Sequence, residues 1–166
     1  GPWQRGADQL GTLGSGNHFL EIGRVEKIYH AAAAERFGLQ EDGIVLLIHC
    51  GSRGFGYQVC DDYLGITRKA TEKYGISIPD RQLACAPLRS GEGQAYLGAM
   101  RCAANYAFAN RQVIMHLAEQ SFMEALGIAQ RETAFQLVYD ICHNIAKLET
   151  HLVDGSPMEV CMHRKG

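Results

Sequence analysis

The pattern of apolar and polar positions predicts three strands in residues 1–144. Residues 18–28 alternate partly, with a break at Gly23, and residues 44–48 form an apolar run typical of a buried strand that stops at a glycine-serine turn. Residues 135–141 form a second such run, which ends at Cys142-His143-Asn144. Strands and helices are mixed along the chain without a regular strand–helix–strand repeat.

Helical patterns and their stop signals occupy most of the remaining chain. A short helix is predicted within residues 29–38 and a longer one within about 56–74, each closed by a glycine. Ser90 is the predicted N-cap of a pattern over about 94–127, either one helix or two joined end to end. Together with a β-hairpin predicted around residues 153–157, VDGSP, these elements indicate an α+β fold with a mixed β-sheet core and flanking helices.

Composition is typical of a globular chain. Of 166 residues, 46% are hydrophobic and 20% are charged, which is enough for one domain with a substantial core. The formal net charge of −2 argues against bulk attraction to nucleic acid, so any RNA contact would depend on a local group of arginines. No apolar run reaches the roughly 18 residues of a membrane span, and no secretory signal is visible. Six cysteines without a C-x-x-C pair predict reduced, mostly buried thiols in a cytoplasmic protein.

Three histidines lie at the ends of the predicted strands: His18 at the start of the first, His49 after the second and His143 after the third. A rigid sheet holds such side chains while they face a loop-lined cleft. Because imidazole is a common metal ligand, the three are candidate ligands of one or two ions. The histidines at positions 30, 116, 151 and 163 lie in helix or hairpin patterns, where ordinary structural roles are expected.

The segment HCGSRGFG, residues 49–56, adds a candidate phosphate site. Its glycines and Ser52 place several backbone N–H groups at a strand-to-helix turn, where a helix N-terminus favours anions. Arg53 would add a bidentate fork for a phosphate. The lysine and the spacing of a Walker loop are absent.

Four further charged residues have simpler expectations. Arg111 and the terminal Arg164-Lys165 are predicted to lie on solvated faces. Glu21 follows His18 by three residues, so in a regular strand it points to the opposite face. If the chain bends there, the carboxylate of Glu21 suits the N1–H and N2–H₂ donor edge of a guanine.

Five blocks of this sequence together resemble the RtcB family of RNA ligases. In chain order they are LGTLGSGNHFLEI, HCGSRGFG, NYAFANR, YDICHNIAKLETH and HRKG, and the resemblance covers essentially the whole chain. Members of this family use GTP and manganese to join RNA 3′-phosphate or 2′,3′-cyclic phosphate ends to 5′-hydroxyl ends. The resemblance implies an RtcB-like fold in which the chain is part of a larger single catalytic domain.

The resemblance also implies a role for each site residue. His18 and His49 resemble ligands of one Mn²⁺, and His143 resembles a ligand of a second. Asn17 matches the amide that contacts the nucleotide or its phosphates, and Glu21 matches the carboxylate that recognises guanine. Asn144 and Arg53 match residues that line the nucleotide and RNA-phosphate cleft.

The chemistry implied by the family has three steps. A histidine attacks GTP, the guanylyl group passes to the RNA 3′-phosphate, and the 5′-hydroxyl then displaces GMP. The implied partner is broken or spliced RNA, as in tRNA splicing or RNA repair, with an activating protein of the archease type as a further partner. Oligomeric state is left open.

Departures from the family pattern limit what residues 1–166 are expected to do alone. Cys50 replaces the first serine of the usual Ser-Gly-Ser-Arg. An aspartate and a bridging cysteine normally precede the GNH block, and the guanylylated histidine normally follows HRKG by a long stretch, so His163 is not that residue. We therefore expect a central segment that lacks both flanking segments and does not guanylylate itself.

Two other functions are consistent with the same residues. One is a non-catalytic nucleotide- or RNA-binding module derived from the same fold. The other is a metal-dependent phosphoesterase that uses the three histidines and the Gly-Ser-Arg turn, although the carboxylate-rich ligand set of such sites is missing from the sequence pattern.

Overall fold

The computed structural model describes residues 1–129 and 135–166, which contain four α-helices and four β-strands. The helices are α1 (Pro2–Gly6), α2 (Ala31–Arg36), α3 (Arg53–Lys73) and α4 (Gly91–Leu126). The strands are β1 (Phe19–Arg24), β2 (Ile44–His49), β3 (Ile145–Val153) and β4 (Ser156–Arg164). Short 3₁₀ turns follow α1 (Ala7–Gln9) and precede α4 (Arg81–Leu83). The predicted α+β class is confirmed.

The strands form two separate antiparallel pairs, not the single mixed sheet expected from the pattern. β1 pairs with β2, which places Phe19 opposite His49. β3 and β4 form the predicted hairpin around Asp154 and Gly155, whose φ angles of 50° and 80° suit the tight two-residue turn. Local turn chemistry made the hairpin predictable, whereas the pairing of distant strands depends on tertiary contacts.

The strand predicted over residues 135–141 is wrong. This segment is not in a strand, and Leu137, Tyr139 and Ile141 are 59%, 64% and 61% exposed. An apolar run predicts burial, but a strand also needs a neighbouring backbone to bond, and none pairs with this segment within the described ranges. β2 forms as predicted but is only half-buried, since Ile44 and Leu47 face solvent.

Helices α2, α3 and α4 follow their predicted signals closely, whereas α1 was not predicted. α3 begins three residues earlier than predicted, at Arg53, and ends before Gly75, which takes a positive φ of 63°. α4 is one continuous helix of 36 residues. The Ser90 hydroxyl accepts a hydrogen bond from the Gly93 N–H at 3.0 Å, and Gly127 ends the helix in the left-handed conformation.

The core lies where α3 packs against α4 and α1. Buried apolar side chains there are Val59 and Ala70 of α3 together with Leu97, Ala107 and Ile114 of α4. No helix in the described part of the chain is long and apolar enough to cross a membrane.

The expectation of mostly buried thiols is wrong. All six cysteines are free, but only Cys50 is buried, and Cys60 and Cys102 are exposed. Both exposed thiols lie on long helices whose outer faces meet solvent, which composition alone does not reveal.

Candidate functional site

The three predicted histidines meet at one edge of the molecule. His18 directly precedes β1 and His49 ends β2, and the pairing of these strands brings the two residues together. The ring centroids of His18 and His49 lie 6.3 Å apart, and those of His49 and His143 lie 5.4 Å apart. The central ring therefore belongs to His49.

His143 reaches the cluster by a route that the sequence did not predict. It lies in an irregular segment two residues before β3, not at the end of a strand. The chain terminus packs on it: a Cβ at Gly166 would overlap the His143 ring, and the Gly166 N–H donates to Asn144 Oδ1 at 3.2 Å. This contact fixes the two neighbouring site candidates, His143 and Asn144, against the end of the hairpin.

The cluster supplies the right donor atoms for a transition-metal ion but not a complete ligand set. Imidazole nitrogens are common ligands of first-row transition metals, and manganese in particular also takes oxygen ligands such as carboxylates. Within residues 1–129 and 135–166, however, no group of three or more His, Cys, Asp or Glu side chains has the arrangement of a metal site. The closer pair of rings is His49 and His143, whereas the family resemblance groups His18 with His49.

Arg53 lies directly beside this cluster. Its Nη1 donates to His18 Nδ1 at 3.2 Å, and its Nε donates to Thr12 Oγ1 at 3.3 Å. Burial lowers the pKa of His18 below its usual 6.5, and the charge of Arg53 and the proximity of His49 lower it further. His18 is therefore held as a neutral imidazole, the form that binds metals.

The helix N-terminus at residues 51–56 is partly used by the protein itself. The Gly54 N–H donates to Gln9 Oε1 at 2.7 Å, and a Cβ on Gly54 would press on the Arg5 carbonyl. That glycine serves the packing of α1 against α3. Gly51 faces open space, with no atom near the position of a Cβ. The Gly56 N–H is also used, since it donates to the Ser52 carbonyl at 3.2 Å. The predicted phosphate site stays a prediction, with two fewer free N–H groups than the sequence suggested.

The two remaining nucleotide-site candidates are open to solvent. Asn17 is exposed at the exit of the glycine loop, which we define as residues 10–16, LGTLGSG. Glu21 is exposed in β1, opposite Leu47, and its carboxylate makes no hydrogen bond or ion pair with any residue that the structure describes. β1 pairs continuously from Phe19 to Arg24, so the bend considered for Glu21 is not found within the strand.

Asn110 is a residue that the sequence interpretation missed. It is fully buried in α4, and its Oδ1 accepts the Gly11 N–H at 2.6 Å. Its Nδ2 lies within hydrogen-bond distance of the Thr12 carbonyl at 3.2 Å, the Cys50 sulfur at 3.2 Å and the Gly51 carbonyl at 3.3 Å. The amide thus ties the glycine loop to the end of β2.

Arg111 was predicted to lie on a solvated face, and this is wrong. It is 9% exposed, and its Nε donates to Asp140 Oδ1 at 2.6 Å in an ion pair. Its Nη1 donates to the Cys50 carbonyl at 3.0 Å, and its Nη2 lies 3.7 Å from the Cys142 sulfur. The guanidinium also lies over the Phe108 ring, 4.8 Å from its centroid.

The helical periodicity of α4 contains a signal that Asn110 and Arg111 are buried. Asn110 and Arg111 fall at i+3 and i+4 from the buried Ala107, and the buried Ile114 completes the stripe. A polar pair on an apolar stripe indicates buried polar contacts. Because charged side chains are usually exposed, the charge of Arg111 predicted a solvated position instead.

Cys50, the departure from the family pattern, also belongs to these contacts. Its thiol is buried and donates to the Leu13 carbonyl at 3.1 Å. The sulfur therefore packs against the glycine loop instead of standing free beside His49.

The histidine cluster is an open edge of the protein. Two cavities lie elsewhere: one of about 210 Å³ beside α2, and one of about 310 Å³ between α4 and β3. Neither is lined by a histidine of the cluster.

Comparison with known proteins gives a consistent result. A family model described as tRNA-splicing ligase RtcB matches residues 2–166. The chain is 52% identical to the tRNA-splicing ligase RtcB of Archaeoglobus fulgidus over 98% of its own length and 34% of that protein. It is 55% identical to the protein of that name in Methanocaldococcus jannaschii, covering 98% of the chain and 17% of the relative. It is 50% identical to the RNA-splicing ligase RtcB of Mycobacterium tuberculosis, covering 98% of the chain and 37% of the relative. The chain thus spans about a third of the length of two of these relatives, and less of the other.

Proposed function

The chain belongs to the RtcB family, and on that premise we propose that it forms part of an RNA ligase joining 3′-phosphate or 2′,3′-cyclic phosphate ends to 5′-hydroxyl ends with GTP and Mn²⁺. The observation that supports this most directly is the meeting of His18, His49 and His143 beside Arg53. Three imidazoles from separate segments, next to a guanidinium, suit a site for a metal ion and a phosphate.

Each group in the proposed site has a stated task. The three histidines donate imidazole nitrogens to Mn²⁺, and further ligands come from other parts of the ligase. Bound Mn²⁺ supplies charge neutralisation at phosphate oxygens and orientation for in-line displacement. Arg53 grips the RNA phosphate with its fork, which requires it to leave the Nδ1 of His18. His18, held neutral, is then free to coordinate.

The nucleotide is held by groups that the structure leaves accessible. The carboxylate of Glu21 has no protein partner among the described residues, and it accepts hydrogen bonds from the guanine N1–H and N2–H₂ of GTP. Asn17 and Asn144 offer amides to the nucleotide and its phosphates. The histidine that becomes guanylylated lies outside this chain. The proposed substrate is RNA, the proposed activator is a protein of the archease type, and the proposed location is the cytoplasm.

A ligation assay tests this function in a ligase that contains the chain. RNA with a 3′-phosphate and RNA with a 5′-hydroxyl are incubated with GTP and Mn²⁺, and the joined product is measured by denaturing electrophoresis. We expect product only when both GTP and Mn²⁺ are present, and little or none with His49→Ala. The control His116→Ala changes an exposed histidine of α4 and retains activity. Ligation without GTP, or with His49→Ala at the wild-type rate, would contradict the proposal.

The second candidate is a module that binds nucleotide or RNA without ligating it. The incomplete metal-ligand set within the described ranges favours it for residues 1–166 taken alone. Labelled GTP and Mn²⁺ followed by denaturing electrophoresis separate the two outcomes. We expect no covalent label on the isolated 166 residues and a labelled band on the complete ligase. If neither protein is labelled, the binding module is supported.

A further inference from the structure

We propose that Asn110 and Arg111 are positioning residues that assemble the histidine cluster, each fixing a different pair of its members. The inference rests on the proposed function only in assuming that the cluster binds metal. The two residues are neighbours in α4, yet their side chains bind different segments. Asn110 joins the segment leading to His18 to the end of β2, and Arg111 joins that same end to the segment leading to His143.

Asn110 closes the first junction. Its Oδ1 and Nδ2 bond the backbone of Gly11 and Thr12 on one side, at 2.6 and 3.2 Å. On the other side Nδ2 faces the Cys50 sulfur and the Gly51 carbonyl. Since His18 follows the glycine loop and His49 precedes Cys50, one buried amide sets the separation of these two histidines.

Arg111 closes the second junction. One N–H binds the carbonyl of Cys50, directly after His49, and another binds the carboxylate of Asp140, three residues before His143. The third faces the sulfur of Cys142, next to His143. Three acceptors in three directions require the planar fork of arginine, which a lysine ammonium does not reproduce.

The alternative is that both residues merely fill the core between α3 and α4. The two explanations differ in one measurable respect. A core-filling role makes loss of either side chain disturb all three histidines together, through a general loosening of packing. The positioning role makes the disturbance selective: His18 for Asn110, His143 for Arg111, and His49 for both.

The test is NMR of the histidine ring signals in the metal-free protein, comparing Asn110→Ala with Arg111→Met. We expect Arg111→Met to shift the His143 signals and leave those of His18 in place, and Asn110→Ala to do the reverse. Arg111→Lys should resemble Arg111→Met, because lysine lacks the fork. Arg101→Met, an exposed change on the same helix, should move none of the three. Unchanged His143 signals in Arg111→Met, or equal shifts of all three histidines in both variants, would overturn the proposal.

A milder variant keeps the test decisive if Arg111→Met does not fold, as judged by far-UV circular dichroism. Asp140→Asn removes the ion-pair partner and retains Arg111. It should shift His143 less than Arg111→Met would, with His18 unmoved, and no shift at His143 would overturn the assignment.

Manganese affinity separates this inference from the proposed function. Loss of residues that orient metal ligands typically weakens binding roughly 10- to 100-fold, and we expect such a loss for Arg111→Met and Asn110→Ala but not for Arg101→Met. If the complete ligase does not bind Mn²⁺, the proposed function fails, while the selective NMR shifts still decide the positioning roles.

Discussion

Gly14 lies where any side chain would collide with Arg53. Its φ is +91°, and an added Cβ would overlap the guanidinium that hydrogen-bonds His18. The glycine loop therefore does more than provide flexibility, because one of its glycines leaves room for the cation beside the cluster. Gly16, in the same loop, also has a positive φ of +79°, but the position of its Cβ is open space.

Replacing Gly14 should change the protonation of His18. Gly14→Ala displaces Arg53, and because that positive charge disfavours protonated imidazole, we expect the pKa of His18 to rise toward 6.5. The rise is partial, since burial is the larger cause of the lowering. An NMR titration of the His18 ring measures it.

Gly16→Ala is the matched control for this prediction. It introduces similar backbone strain without contacting Arg53. An equal rise of the His18 pKa in both variants, or none in Gly14→Ala, would contradict the role assigned to Gly14.

Single residues differ in how far sequence alone predicted them. His18, His49, His143 and Arg53 stood out because their residue types and glycine-rich neighbours suggest ligand chemistry. Arg111 did not, because the face of a helix that meets the core depends on what packs against it. Its acceptors on Cys50, Asp140 and Cys142 lie about 30 or more positions away, as the separations of 61, 29 and 31 show.

At the scale of elements, α4 depends on its cap. Ser90 accepts from the Gly93 N–H and also donates to the Pro87 carbonyl at 2.7 Å. Ser90→Ala removes both contacts, and we expect a loss of about 1 kcal/mol in the free energy of unfolding. Urea unfolding followed by circular dichroism measures it. Ser121→Ala, where the exposed hydroxyl bonds only a carbonyl of its own helix, should cost much less. Equal losses would mean that the cap has no special role.

The β3–β4 hairpin carries an ion pair that should respond to acid. Both oxygens of Glu149 accept from Arg164, at 2.6 and 2.8 Å, and one also contacts His151 at 2.9 Å. Arg164 first, and His151 next, lower the pKa of Glu149 from 4.5 to about 2. A lowered carboxyl pKa gives stabilisation that is present above pH 4.5 and is lost as the pH falls toward 2.

Glu149→Gln should therefore flatten the pH dependence of hairpin stability between pH 4.5 and 2. The effect is small because the pair is open to solvent. Thermal unfolding at several pH values measures it, with Glu159→Gln on β4 as the control. If the wild-type protein and Glu149→Gln lose stability in parallel over this range, the ion pair contributes nothing.

Elements were predictable where their signals are local. Ser90 and Gly127 bound α4 as predicted, and VDGSP turns the hairpin, because caps and tight turns depend on a few adjacent residues. Residues 135–141 show the opposite case. These residues do form an apolar run, but a strand also needs a neighbouring strand to pair with. The sequence does not show whether such a strand is available.

At the scale of the whole molecule, the surface is large for the mass. The accessible area is 11897 Å², whereas a compact monomer of this mass exposes about 8,100 Å². Large apolar side chains on β1 and β2, including Ile22 and Ile44, face solvent. This excess is consistent with the proposal that the chain packs against further parts of a larger ligase.

The central claim is that His18, His49 and His143 act together as metal ligands, and Mn²⁺ binding tests it most directly. Free Mn²⁺ gives a six-line electron paramagnetic resonance signal that weakens when the ion binds protein. We expect the wild-type protein and His116→Ala to deplete this signal alike, while the triple variant His18→Ala/His49→Ala/His143→Ala leaves it at the level of free Mn²⁺. An unchanged affinity in the triple variant would contradict the account.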